Sequence, residues 1–141
     1  MDAASAVAVA AIFIWLGMVL AISFLEAPLK FRAPGITLQL GLAIGRLVFR
    51  ALNAAEAVLA AVVVVSLVVG PPAVTAMVAA GMAIIVLAGQ VLVVRPRLSR
   101  RSDAVLSGGD GPRSHAHWVY IGLECVKAIA LVVTGVALLA A

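Results

Sequence analysis

Residues 57–94, AVLAAVVVVSLVVGPPAVTAMVAAGMAIIVLAGQVLVV, carry no charged side chain and are interrupted once, by Gly70-Pro71-Pro72. A helix rises 1.5 Å per residue and the hydrocarbon of a bilayer is roughly 30 Å thick, so about 20 apolar residues cross it. The interruption divides the stretch into two pieces, because proline lacks the N–H that would continue a helix and its ring presses on the preceding turn. The pattern predicts a helical hairpin in a membrane. Its second arm, from Ala73 to Val94, is long enough alone. The first arm must extend backward from Ala57 through Glu56, Asn53 and Arg50, which draws charged groups toward the bilayer.

Two further runs flank the hairpin. Ala3 to Leu25 is free of charge, and Trp118 to the C-terminus is apolar apart from Glu124 and Lys127. The first run lacks the basic leader and short apolar core of a secretory signal, so it is expected to be retained as a span. The reading is an all-α, integral membrane four-helix bundle, one domain over 1–141, with helices at about 3–27, 47–69, 73–94 and 118–141. Residues 36–46 are expected to extend helix two or lie along the interface, with Gly41 and Gly45 spaced for close helix approach. Residues 95–117, with the turn-rich Ser107-Gly108-Gly109-Asp110-Gly111-Pro112, are expected to form a loop.

Composition agrees. Sixty-five per cent of residues are apolar, where soluble domains have about 45–50%. Ten Lys/Arg and six Asp/Glu are too few to cover a soluble surface. Apart from Lys127, the basic residues fall before helix two (Lys30, Arg32, Arg46, Arg50) and before helix four (Arg95, Arg97, Arg100, Arg101, Arg113). Cytoplasmic loops retain positive charge, so both segments are expected in the cytoplasm and both termini outside, in a plasma or inner membrane. The net charge of +4 is thus explained by topology, and nucleic acid is not an expected partner. Membrane lipids are, as is a homo-oligomer or a larger membrane complex. The single cysteine, Cys125, is read as a small buried hydrophobe.

The polar residues at membrane depth supply the candidate site. Arg46, Arg50, Asn53 and Glu56 are spaced by four, three and three residues and share a helix face. His117, Tyr120, Glu124 and Lys127 repeat that arrangement on helix four. Glu56 should lie about 9 Å deeper than Arg50, and Glu124 about 9 Å deeper than an interfacial Trp118. Ionisable groups there cost about 2.5–3.5 kcal/mol each on insertion scales, so they turn inward and pair. The expected pairs are Lys127 with Glu56 or Glu124, and Arg50 with Glu26, while Tyr120, Asn53 and Gln90 satisfy what remains. Such a network either fixes packing alone or lines a pocket for an anion, a proton or a polar head group. His115 and His117, beside Asp110, offer at most two ligands of a metal site. Helix two supplies no histidine for a haem across the bundle. No cofactor is indicated, and no Walker loop, activated nucleophile or paired-cysteine motif marks an enzyme.

Trp15-Leu16-Gly17, Ser23-Phe24, Ala27-Pro28-Leu29-Lys30-Phe31, Gly41…Ile44-Gly45-Arg46…Phe49 and the later Arg95-Pro96-Arg97-Leu98 resemble the small four-helix membrane family that includes the transmembrane-protein-205-like proteins. That resemblance implies an integral membrane protein without assigned catalytic residues. Arg46, Asn53 and Glu56 also resemble helix-two positions of the membrane-associated eicosanoid and glutathione metabolism family, which would imply a trimer binding glutathione between subunits. The leading expectation is small-solute or ion transport, permeation or ligand binding through the polar cluster. The alternatives are a glutathione-dependent membrane transferase and an accessory or assembly subunit of a larger complex.

Overall fold

A computed structural model describes residues 1–106 and 116–141, without the side chains at 101, 102, 105, 116 and 117. All regular structure among these residues is helical, and four helices are long and apolar enough to cross a membrane.

Helix α1 spans Ala3–Lys30. Its first turn is closed by Asp2, whose carboxylate accepts the Ser5 N–H at 2.8 Å. That bond favours the charged form and holds the Asp2 carboxyl below its usual range. A turn with Gly35 at φ 80°, a left-handed conformation that glycine adopts without strain, leads to helix α2, Leu38–Val69. Thr37 caps α2 by accepting the Leu40 N–H at 3.0 Å, and Gly70 with Pro71-Pro72 ends it. The segment 36–46 therefore belongs to α2 from Leu38 onward and is a continuous part of that helix.

Helix α3 starts at Val74 and continues through Gln90–Val94 and Arg95–Leu106. This corrects the loop expected from residue 95, and α1 likewise runs past its expected end near residue 27. Both overruns have one cause. Pro28 and Pro96 sit inside helices, each two residues after a wide stretch, Leu20–Glu26 and Gln90–Val94, with i→i+5 hydrogen bonding. Within these stretches the Ala27 N–H bonds the Ile22 carbonyl and the Arg95 N–H bonds the Gln90 carbonyl. A proline in a regular helix strands one carbonyl and clashes with the turn before it; a widened turn makes room and lets the chain continue. Helix α4, Ala116–Ala140, closes the bundle.

In cross-section α1 lies between α2 and α4, and α3 packs chiefly on α4. Ala8, Ala11, Ile12, Val63, Ala76, Ala80, Ala83 and Leu131 fill the apolar core, where small side chains let helices approach closely. Thr134 and Ser66 satisfy their hydroxyls on the Ala130 and Val62 carbonyls one turn back. The outward faces of all four helices expose Val, Leu and Ile, as expected of surfaces solvated by lipid. Cys125 is on such a face rather than in the core, because its neighbour Glu124 and nearby Lys127 take the inward positions.

Candidate functional site: a buried ionic cluster beside a cavity

Lys127 on α4 is fully buried, and its ammonium has three oxygen partners. Nζ lies 2.6 Å from Glu56 Oε2, 2.5 Å from Glu124 Oε1 and 2.8 Å from Gln90 Oε1. The geometry thus joins Lys127 to both glutamates that the sequence offered as alternatives. Three helices contribute: α2 supplies Glu56, α3 supplies Gln90, and α4 supplies Glu124 one turn from Lys127. Glu56, Gln90 and Glu124 are at most 1% exposed.

The second layer of bonds orients these groups. Trp15 on α1 donates its indole N–H to Glu56 Oε2 at 2.7 Å. Gln90 donates its amide to Glu124 Oε1 at 3.0 Å and to the Tyr120 carbonyl at 3.3 Å. Ser23, in the wide stretch of α1, donates to Glu124 Oε2. With its amide oriented to suit both neighbours, Asn53 donates to Glu56 Oε1 at 3.2 Å and accepts from Arg95 Nε at 3.3 Å. Every carboxylate oxygen of Glu56 and Glu124 therefore has a donor, which is the condition for keeping charge out of water.

The rest of the expected constellation divides. Arg46 leaves the cluster and pairs with Asp103 on α3 at 2.6 Å. Arg50 is exposed, and the pairing expected between it and Glu26 is replaced by Lys30 at 3.9 Å, one turn along the same helix. Proximity decides this: Lys30 and Glu26 share a face of α1, whereas Arg50 turns outward. Tyr120 is buried edge-on against Phe49, with ring centroids 5.7 Å apart, and its hydroxyl has no partner among the described residues. His115 and the His117 side chain lie outside the described residues, as does Asp110. No group of three metal-ligating side chains occurs among the described residues.

Next to the cluster is a cavity of about 400 Å³. Lys30, Arg46 and Arg95 contribute its positive charge, Phe24, Phe31 and Phe49 its aromatic wall. Ser23, Tyr120 and Glu124 also line it, so Glu124 belongs to both the cluster and the cavity. The bare backbone at Gly41 admits the Phe31 ring, which a Cβ there would displace. Arg95 faces the Phe49 ring at 5.8 Å. Such a site can hold a solute with an anionic or polar head between the cations and an apolar body on the rings.

Trp15, Ser23 and Arg95 were not among the expected site residues. A tryptophan in an uncharged span was the readable sign, since its N–H must find an acceptor away from water. Ser23 and Arg95 carried no such sign, because their places depend on the two widened turns. No known protein family, curated protein or solved structure matches the chain.

Proposed function

We propose that this chain is a multi-pass protein of the cell membrane, with its termini outside and its arginine-rich end in the cytoplasm. In this reading it binds a small polar or anionic solute in the cavity, as ligand or as cargo for transport or permeation. The supporting observation is the cavity itself, with three cationic side chains on its lining. Its size falls within the range of about 300–1,000 Å³ usual for ligand pockets. Lys30 and Arg46 are paired with Glu26 and Asp103, and the one lining carboxylate, Glu124, is engaged with Lys127, which leaves Arg95 as the lining cation with no carboxylate partner among the described residues. An anionic head would complete the hydrogen bonding of Arg95.

The test uses purified protein in mild detergent, titrated with chloride, inorganic phosphate and octanoate, followed by flux of the bound probe in proteoliposomes. Saturable binding of at least one is expected. Arg95→Gln keeps a donor for Asn53 but removes the charge, and should weaken that binding by about ten- to a hundredfold, the worth of one charge-assisted bond. Failure of all three probes to bind, with a larger membrane complex co-purifying, would replace this reading with the accessory-subunit one.

A further inference from the structure

The ionic cluster does not balance. Two carboxylates, Glu56 and Glu124, share one ammonium, Lys127, in a site closed to water on the Glu56 side. Arg95 touches this set only through the Asn53 amide, and its guanidinium lies at the edge, half-buried and facing Phe49. A surplus negative charge in such a place is costly, and proteins remove it by taking up a proton.

The hydrogen bonds decide where a proton fits, since a protonated carboxyl must donate and therefore needs an acceptor. Glu56 Oε2 faces the Trp15 N–H and the Lys127 ammonium, and Glu56 Oε1 faces the Asn53 amide N–H. Glu124 Oε1 faces Lys127 and the Gln90 amide N–H. Trp15 and Lys127 can only donate, Gln90 already turns its oxygen to Lys127, and Asn53 could offer its oxygen to Glu56 only by turning its NH2 onto the Arg95 Nε–H. Glu124 Oε2 alone among the four oxygens meets a hydroxyl, that of Ser23, which can accept as well as donate. Ser23 can then turn its own hydrogen to a backbone carbonyl of the preceding turn, as Ser66 and Thr134 do. Glu124 and Ser23 also line the cavity, whereas Glu56 does not.

We propose that the cluster binds one exchangeable proton on Oε2 of Glu124, between that carboxyl and the Ser23 hydroxyl, and that it enters and leaves through the cavity. The proton comes from water at the cavity and returns to it, leaving Glu124 a carboxylate to which Ser23 donates. The polar groups of the cluster and the cavity wall set the balance: Ser23 and Lys30 from α1, Glu56 and Arg46 from α2, Gln90 and Arg95 from α3, and Tyr120 and Lys127 from α4. The inference takes from the preceding reading only that the cavity admits water, and it holds whether or not a solute is moved.

Infrared spectroscopy of the full chain in detergent, with no added solute, reads this directly. The wild type should show the carbonyl stretch of one protonated carboxyl, and that band should vanish in Glu124→Gln. It should shift in Ser23→Ala and stay in place in Trp15→Phe. On transfer to deuterated water it should exchange far faster than the buried backbone amides. No band in the wild type, or a band that survives Glu124→Gln, overturns the assignment. So does one that responds to Trp15→Phe and ignores Ser23→Ala, which would put the proton on Glu56. Exchange as slow as the core amides overturns the cavity route. Should Glu124→Gln not fold, the serine and tryptophan variants and the wild-type exchange rate still decide. A negative flux or solute-binding result leaves every one of these readings unchanged.

Discussion

The two ends of this bundle are made by the same four helices and packed on different terms. Toward Gly70, where the N-terminal turn meets the α2–α3 connection, the interior is Ala, Val and Leu, and the buried polar side chains Ser66 and Thr134 bond their own helix. Toward Arg95 the interior holds charges, an amide network and a cavity, and both helices with an internal proline widen there. The apolar end needs only complementary shape, which small residues provide. The polar end needs directional partners from all four helices at once, and a helix of uniform pitch does not present them all. Gly70-Pro71-Pro72 shows the contrast: there prolines stop a helix, whereas Pro28 and Pro96 are absorbed within one.

The sharpest way to break the comparison is to remove the charge that organises the polar end. Lys127→Met takes away the ammonium that Glu56 and Glu124 share and should lower unfolding free energy in detergent by about 3–5 kcal/mol. Adding Glu56→Gln to it should cost much less than the two single losses summed, as thermal or denaturant unfolding of the four proteins in a double-mutant cycle will show. Additive losses would mean that the two residues do not act as a pair.

Volume tests the other end. Ala83 is fully buried in the apolar core, so Ala83→Leu should overpack it and cost about 1–3 kcal/mol. Leu42 lines the cavity, where there is space to spare, and Leu42→Phe should cost less than about 1 kcal/mol. Equal losses in parallel melts would erase the distinction between a filled end and an open one.

The smallest effect is at the first turn. The Asp2 carboxyl is held down by the Ser5 N–H, so its contribution is complete above the unfolded carboxylate range. It is lost as pH falls through the lowered folded value. The Ser5 amide resonance should therefore titrate below the ordinary aspartate range in wild type and lose that titration in Asp2→Asn. A Ser5 amide that follows ordinary aspartate would contradict the cap.

How much of this was legible follows from what each signal depends on. Long apolar runs depend on composition alone, and they marked all four spans. The Glu124 and Lys127 spacing depends on one regular turn, and both residues do meet in the cluster. The α2 stripe was less reliable, since residues spaced by four, three and three drift by about 80° around a helix over its length. Glu56 and Asn53 reach the cluster while Arg46 and Arg50 do not. Arg95-Pro96-Arg97 reads as a helix end by every local rule, and only the widened turn before it makes that rule fail. Ser23 and Arg95 owe their positions to that kind of local departure, which no regular periodicity encodes.

The hydrogen bond from Trp15 to Glu56 also makes the molecule its own optical reporter. The chain has two indoles, one fully buried against the charges and the other, Trp118, 71% exposed. A quencher dissolved in the surrounding detergent or lipid will extinguish Trp118 and spare Trp15. The emission that survives then comes from a ring bonded to a carboxylate with an ammonium beside it, and its colour will follow any change in their charges without a label being attached.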